Sequence, residues 1–391
     1  MSYAALWTLD PAVAHLNHGS FGACPAAILE KQSELRARLE REAVDFLVRE
    51  APARYAEARA ALGQFVGADP DDLAFVPNAT SGVNAVVRSL DFAPGDEILT
   101  TDHAYGACKK TLDYVASRTG ARVVVAPVPF PLRSEEDVVS PVLSLVTSHT
   151  RLAMLDHVTS PTALVFPIER LVKELAARGV DTLVDGAHAL GMLPLHLSRL
   201  GAAYYTGNAH KWLCAPKGAA FLHVRRDRQK GIHPVTISHG YAGGEARFRD
   251  EFDWTGTIDP TPALTIPDCI RYLGGLLPGG WPELMAANNG LALRAREILC
   301  TALAVAAPAP ESMVGSMAAV ILPKAAPGSA AARLDREQLA DWTRARGVEP
   351  WFFAWPPPGG GKLVRVSAQL YNSEEEYVRL ASLLAKALRE P

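Results

Sequence analysis

Apolar positions along this chain fall into two textures. Through residues 26–66 they recur at helical spacing among Ala, Leu, Glu and Arg, and Pro52 divides the run into two predicted helices. From about residue 73 the chain alternates between short apolar runs and helical stretches. Leu73-Ala74-Phe75-Val76, Glu97-Ile98-Leu99-Thr100, Arg122-Val123-Val124-Val125, Leu152-Ala153-Met154-Leu155, Thr182-Leu183-Val184, Tyr204-Tyr205-Thr206 and a run over 219–224 read as strands. A helix over 168–178 closes at Arg178-Gly179, a C-cap signal. This alternation predicts an α/β fold, a mostly parallel sheet with helices on both faces. Ligands in such sheets sit beyond the carboxyl ends of the strands, where the polar turns of this chain fall.

The remainder reads as a smaller α/β unit. Residues 260–300 are helical with an interruption at Pro278-Gly279-Gly280. A strand over 317–322 leads to a helix over 335–346. An aromatic, Pro/Gly-rich loop follows, Trp351-Phe352-Phe353-Ala354-Trp355-Pro356-Pro357-Pro358-Gly359-Gly360-Gly361, then strand Leu363-Val364-Arg365-Val366-Ser367 and a last helix from about Glu374. At 391 residues the chain exceeds one ordinary core, so two domains are expected. We place them at 15–260 and 261–391, with residues 1–14 packed alongside the second.

Composition changes this picture only by exclusion. A net charge of −3 gives no footprint for nucleic acid. The basic run Arg225-Arg226-Asp227-Arg228-Gln229-Lys230 reads as a solvated turn. Five scattered cysteines without a Cys-x-x-Cys pair argue against a disulfide framework or zinc site and for a reducing, cytoplasmic setting. No apolar run reaches membrane-spanning length, and the N-terminus lacks the pattern of a signal peptide. No Gly-x-Ser-x-Gly elbow supports a hydrolase, and no phosphate-binding glycine motif supports a nucleotide site.

The chemistry centres on Tyr204-Tyr205-Thr206-Gly207-Asn208-Ala209-His210-Lys211-Trp212. A lysine just after a strand, in apolar surroundings, loses its proton easily and can form a Schiff base. Val184-Asp185-Gly186-Ala187-His188 puts an acid at the end of the preceding strand. A Schiff-base lysine plus an acid facing a pyridinium nitrogen is the protein half of pyridoxal 5′-phosphate (PLP) chemistry. A phosphate wants a helix N-terminus, and Ala79-Thr80-Ser81-Gly82 opens one; an ordinary N-cap by Thr80 or Ser81 is the plainer alternative. His103 or Tyr105 could cover the ring, and His188 or Ser160 could reach its phenolic oxygen. A substrate carboxylate wants an arginine fork, and Arg365 is the candidate. The loop Leu16-Asn17-His18-Gly19-Ser20-Phe21-Gly22 is either a turn or a substrate-side loop.

These residues, in this order, resemble the class V aminotransferase family of fold-type-I PLP enzymes, and within it the isopenicillin N epimerase branch. The resemblance covers almost the whole chain. It is carried by the loop at 16–22, Asp45-Phe46-Leu47-Val48-Arg49-Glu50, Asp185-Gly186-Ala187-His188-Ala189, Gly207-Asn208-Ala209-His210-Lys211-Trp212-Leu213 and Arg365-Val366-Ser367-Ala368-Gln369-Leu370-Tyr371-Asn372. It implies a large domain with a mostly parallel seven-stranded sheet and a smaller C-terminal domain. Lys211 would hold PLP and act as base at Cα. Asp185 would pair with the ring nitrogen and His188 would lie near the phenolic oxygen. Thr80, Ser81, Asn208 and His210 would reach the phosphate, with Thr257 supplied to the partner's phosphate in a homodimer. Tyr105 or His103 would cover the ring, Ser160 would lie at the cofactor, and Arg365, Asn17 and His18 would face an amino-acid-type substrate. The implied activity is removal of a Cα proton, as in an epimerase, with a carbon–sulfur lyase or an aminotransferase as alternatives. Cysteine desulfurases need a nucleophilic cysteine in the stretch that is 349–362 here, and it contains none. Its aromatic residues suggest instead a lid that excludes water.

Overall fold

A computed structural model describes residues 3–242, 248–356 and 360–390. Of the segments singled out above, Pro357, Pro358 and Gly359 of the aromatic stretch and the extreme residues of the two end segments lie outside the described residues.

Seven strands form one sheet: β1 (Leu73–Val76), β2 (Glu97–Thr101), β3 (Arg122–Ala126), β4 (Thr150–Asp156), β5 (Asp181–Asp185), β6 (Tyr204–Asn208) and β7 (Ala220–Val224). Their spatial order is β1-β7-β6-β5-β4-β2-β3. Only β7 runs against the rest, pairing antiparallel with both β1 and β6. Strands in such a sheet are buried on both faces, so successive residues feed opposite cores. Leu99, Ala153, Leu155, Val184 and Phe221 enter one apolar cluster; Ile98, Leu152, Met154, Leu183 and Leu222 enter another. This explains why the strands read as continuous apolar runs rather than alternating ones.

Helices α1 (Ala26–Arg41), α2 (Ala51–Val66), α3 (Ala79–Ser89) and α4 (Gly106–Thr119) belong to this large unit. Pro52 lies in the first turn of α2, directly after a π-turn over Phe46–Glu50, and the break from α1 comes earlier, at Glu42. The Asp45–Glu50 stretch is structural. Arg38 gathers Glu42, Asp45 and Glu50, while Phe46 is fully buried. The basic run at 225–230 is paired with Asp69, Asp72, Asp181 and Asp227 on the surface.

The smaller unit has a three-stranded antiparallel sheet of β8 (Met317–Ile321), β9 (Trp351–Trp355) and β10 (Gly361–Ser367), in the order β9-β10-β8. It packs on the long helix α5 (Gly280–Leu303) and the final helix α6 (Glu374–Arg389). Trp351–Trp355 of the aromatic stretch expected as a loop therefore form an edge strand, not a lid. Alternate residues of β9 serve different cores, Phe352 the small one and Trp355 the large one. β-Propensity of the aromatics wins over the Pro/Gly run, which begins only at Pro356.

Apolar packing does not change over at residue 260. Ile266 and Cys269 join the large core, whereas Ala14 and Leu16 join the small one. Ala14–His15 also pairs in parallel with Val348–Glu349, tying the N-terminal segment to the C-terminal unit. Among the described residues no helix is long and apolar enough to cross a membrane.

Candidate active site

The carboxyl ends of the central strands converge on one cavity of about 490 Å³. Asp156 ends β4, Asp185 ends β5 and Asn208 ends β6, and all three line it. The start of α3 contributes Ala79, Thr80 and Ser81, and Tyr105 precedes α4. Ser160, His188, His210 and Lys211 complete the polar wall, with Ser20 and Phe21 from the N-terminal loop.

Lys211 follows β6 in a turn tied on both sides. The His210 N–H donates to Ala219 O at 3.0 Å and the Cys214 N–H to Lys211 O at 3.0 Å. Gly22 backs onto this turn with φ +62°; a Cβ there would lie 2.8 Å from Lys211 Cα and closer still to His210 O. Burial, and then the Arg365 charge, pull the Lys211 amine down from 10.5 to about 7. Its Nζ lies 3.0 Å from His188 Nε2, and burial, then Lys211, hold that imidazole well below its usual value, so it is neutral and accepts. His188 Nδ1 has no partner among the described residues.

Asp185 is buried, with Oδ1 accepting from the Ala187 N–H at 3.0 Å and Oδ2 from the Cys108 thiol at 3.2 Å. Burial raises its pKa; a cation in the cavity would oppose that shift. At the start of α3, Asn78 is the N-cap, taking the Ser81 N–H at 2.8 Å and the Ser81 hydroxyl at 3.1 Å. Asn208 Oδ1 takes the Ala79 N–H at 2.8 Å. Asn208 thus holds the helix start in place, and Thr80 remains beside it on the cavity wall.

Arg365 does not line the cavity but lies one layer behind it. Nη1 donates to Ser160 O at 2.7 Å and Ser160 Oγ at 3.2 Å; Nη2 donates to Ser20 Oγ at 2.8 Å and Asn17 Oδ1 at 3.1 Å. Its Nε is unpartnered, and no carboxylate accompanies it among the described residues. Burial brings the guanidinium down to about 10.

Besides Arg365, three residues expected to face cofactor or substrate lie off the cavity wall: His103, His18 and Asn17, the last bound to Arg365. His103 is a core residue, its ring nitrogens taken by Thr162 Oγ1 at 2.7 Å and Val128 O at 2.9 Å, with Trp355 packed edge-on at 4.4 Å between centroids. Of the two candidate ring covers, only Tyr105 reaches the cavity, 45% exposed. His18 braces the lysine turn instead of facing substrate: Nε2 meets Lys211 O at 3.0 Å and Nδ1 meets the Tyr371 hydroxyl at 2.9 Å, and burial lowers it to about 3. Thr257 is exposed and outside this cavity. His210 lines the wall, but its Nδ1 is bound to Ala219 O at 2.8 Å and burial lowers it to about 4. Sequence reasoning missed Asp156, Cys108 and Asn78. Asp156 had a signal, an acid ending a strand beside that of Asp185, and so had Asn78, a favoured N-cap type just before a helix; Cys108 had none beyond position.

The class V aminotransferase model matches residues 24–254 of this sequence. The chain belongs to the class V aminotransferase family. It is 36% identical over 391 residues to isopenicillin N epimerase of Streptomyces clavuligerus, covering 96% of this chain and 95% of that protein. The isopenicillin N epimerase of Amycolatopsis lactamdurans is 37% identical, with 96% of each chain covered. A probable chloroplastic L-cysteine desulfhydrase of Arabidopsis thaliana is 30% identical, covering 97% of this chain and 84% of that protein. Among solved structures, a cystine C–S lyase in complex with cysteine persulfide matches with TM-score 0.79 at 22% identity, covering 96% of this chain and 98% of that one. The fold is thus that of fold-type-I enzymes.

The family is PLP-dependent, and PLP is the cofactor of this chain. The donor set fits it. A buried lysine poised near neutrality, a buried carboxylate opposite, a helix N-terminus and an unpaired His188 Nδ1 surround one cavity. Lys211 would hold the cofactor, Asp185 would face its ring nitrogen, and the start of α3 its phosphate.

Proposed function

We propose that this chain is an epimerase acting on a small amino-acid-type substrate, exchanging the proton at Cα between its two faces. The substrate class rests on one observation: a buried guanidinium without a carboxylate partner stands behind the wall of the cavity that holds Lys211. An α-carboxylate supplies the missing charge, meeting the Ser20 and Ser160 hydroxyls that Arg365 holds in place and backs with its positive charge. Bound PLP supplies an electron sink that makes the Cα proton acidic. Lys211, its amine brought down to about 7 by burial, takes that proton in its neutral form, and the neutral His188 at 3.0 Å orients the amine. The Tyr105 phenol, half in solvent, returns a proton to the other face. Likeness to two isopenicillin N epimerases over nearly the whole chain supports this outcome. On this reading exposed Thr257 reaches the site of a second copy, so the enzyme works as a homodimer. It works in the cytoplasm, where its five unpaired cysteines are safe.

The test uses amino-acid substrates in deuterated water. Recovered substrate should carry deuterium at Cα with inverted configuration. A second reading, β-elimination at a carbon–sulfur bond, is favoured by the 30% identity to the Arabidopsis desulfhydrase. Release of pyruvate, ammonia and sulfide from cysteine would select it over epimerisation. Retention of the Cα hydrogen with every substrate would defeat both.

A further inference from the structure

We propose that Asp156 is a further cofactor-binding residue: a neutral carboxylic acid that offers its O–H to the cavity while Asp185 alone carries the negative charge there. The proposal deepens the cofactor reading above and rests on it.

Asp156 and Asp185 are register partners at the ends of adjacent parallel strands, which places their backbones about 4.8 Å apart. Both are buried and both line the cavity. Two carboxylates this close and this dry do not both ionise; one keeps a proton. The hydrogen bonds decide which. Asp185 receives a donor on each oxygen, the Ala187 N–H and the Cys108 thiol, and donors favour the ionised form. Asp156 Oδ2 has no partner among the described residues.

The charged and titratable groups around Asp156 agree. Burial and the Asp185 charge push it well above the usual carboxylate range, and its own backbone, the Tyr105 backbone and Lys211 only partly offset them. Cys108, packed from α4, feels both carboxylates and stays a thiol. A buried O–H without an acceptor costs free energy comparable to a lost hydrogen bond. The described residues offer Oδ2 no acceptor, so the acceptor is an atom of the group that fills the cavity. Asp156 therefore binds as a donor, and Asp185 as a charge.

Infrared difference spectroscopy of wild-type protein against Asp156→Asn tests the protonation state. A protonated-carboxyl carbonyl band should be present in wild type through neutral pH and missing from the variant. Its absence from wild type would overturn the proposal. PLP affinity, measured by fluorescence titration, tests the donation. Asp156→Asn keeps a neutral donor and should bind within about threefold of wild type, with the pH titration of the bound chromophore unmoved. Asp156→Ala should bind about tenfold more weakly. Unchanged affinity in a folded Asp156→Ala, or a displaced chromophore titration in Asp156→Asn, would overturn it. Should wild-type protein fail to take up PLP, the cofactor reading falls, while the infrared band, read on the protein alone, still decides the state of Asp156.

Discussion

Lys211 owes its chemistry to where it is buried. A lysine whose folded pKa lies near 7 binds fewer protons folded than unfolded between about pH 7 and 10.5. In that window the unfolded state holds the extra proton, so stability rises with pH. Below it the burial penalty is fully present; above it the penalty vanishes. Cofactor-free Lys211→Met should therefore be more stable than wild type at neutral pH and lack that slope, as urea unfolding at several pH values would reveal. In the loaded protein, borohydride should fix a pyridoxyl label on Lys211 and nowhere else; label on a Lys211→Ala variant would contradict the assignment. Arg365 makes a second case. Its two Nη atoms serve four acceptors on Ser160, Ser20 and Asn17, a geometry lysine cannot copy. Arg365→Lys should raise KM for an amino-acid substrate by about tenfold or more, with the absorbance of the bound cofactor preserved. These residues were legible because their types are chemically committed. His103 and His18 were not, since a histidine in a polar turn reads alike whether its nitrogens face a cavity or a carbonyl.

At the scale of elements, the helix start and the aromatic strand carry most of the surprise. Asn78 caps α3 and Asn208 holds its Ala79 N–H, so two asparagines orient the amides at the helix end of the cavity. Asn78→Ala should cost about 1 kcal/mol of stability by denaturant titration. It should also weaken PLP binding, by loosening the amides that would meet the phosphate. The strand β9 was read as a loop because Pro356 and the glycines dominate its far side. Its Trp355 is buried against His103 and Phe130 in the large core. Trp355→Ala should destabilise the protein by about 3 kcal/mol, the cost of a large aromatic leaving a packed core. Were the stretch a mobile lid, the same change would leave stability nearly unaltered.

Across the whole molecule, residues far apart in sequence build one wall. The N-terminal loop reaches Lys211 through His18 and Gly22, reaches Arg365 through Asn17 and Ser20, and continues the pairing of Ala14–His15 with Val348–Glu349. Gly22→Ala tests this assembly. Its added methyl meets the Lys211 backbone at a positive φ, where a side chain is already strained. The melting temperature should fall, and so should the fraction of protein that takes up PLP.

Periodicity and residue type alone determined the alternating α/β order, the strand ends that carry Asp185 and Lys211, and the kind of cofactor they suit. Those are local properties: apolar runs make strands, and an acid or amine at a strand end lies at the sheet's ligand-binding edge. Only the tertiary structure decided that His103 is core, that Arg365 stands behind Ser20 and Ser160, and that Asp156 lies beside Asp185 with an oxygen unpaired. The physical reason is that burial and hydrogen-bond partners come from neighbours distant in the chain. Strand register sets which two carboxylates must share a dry site, and no pattern along one strand records that.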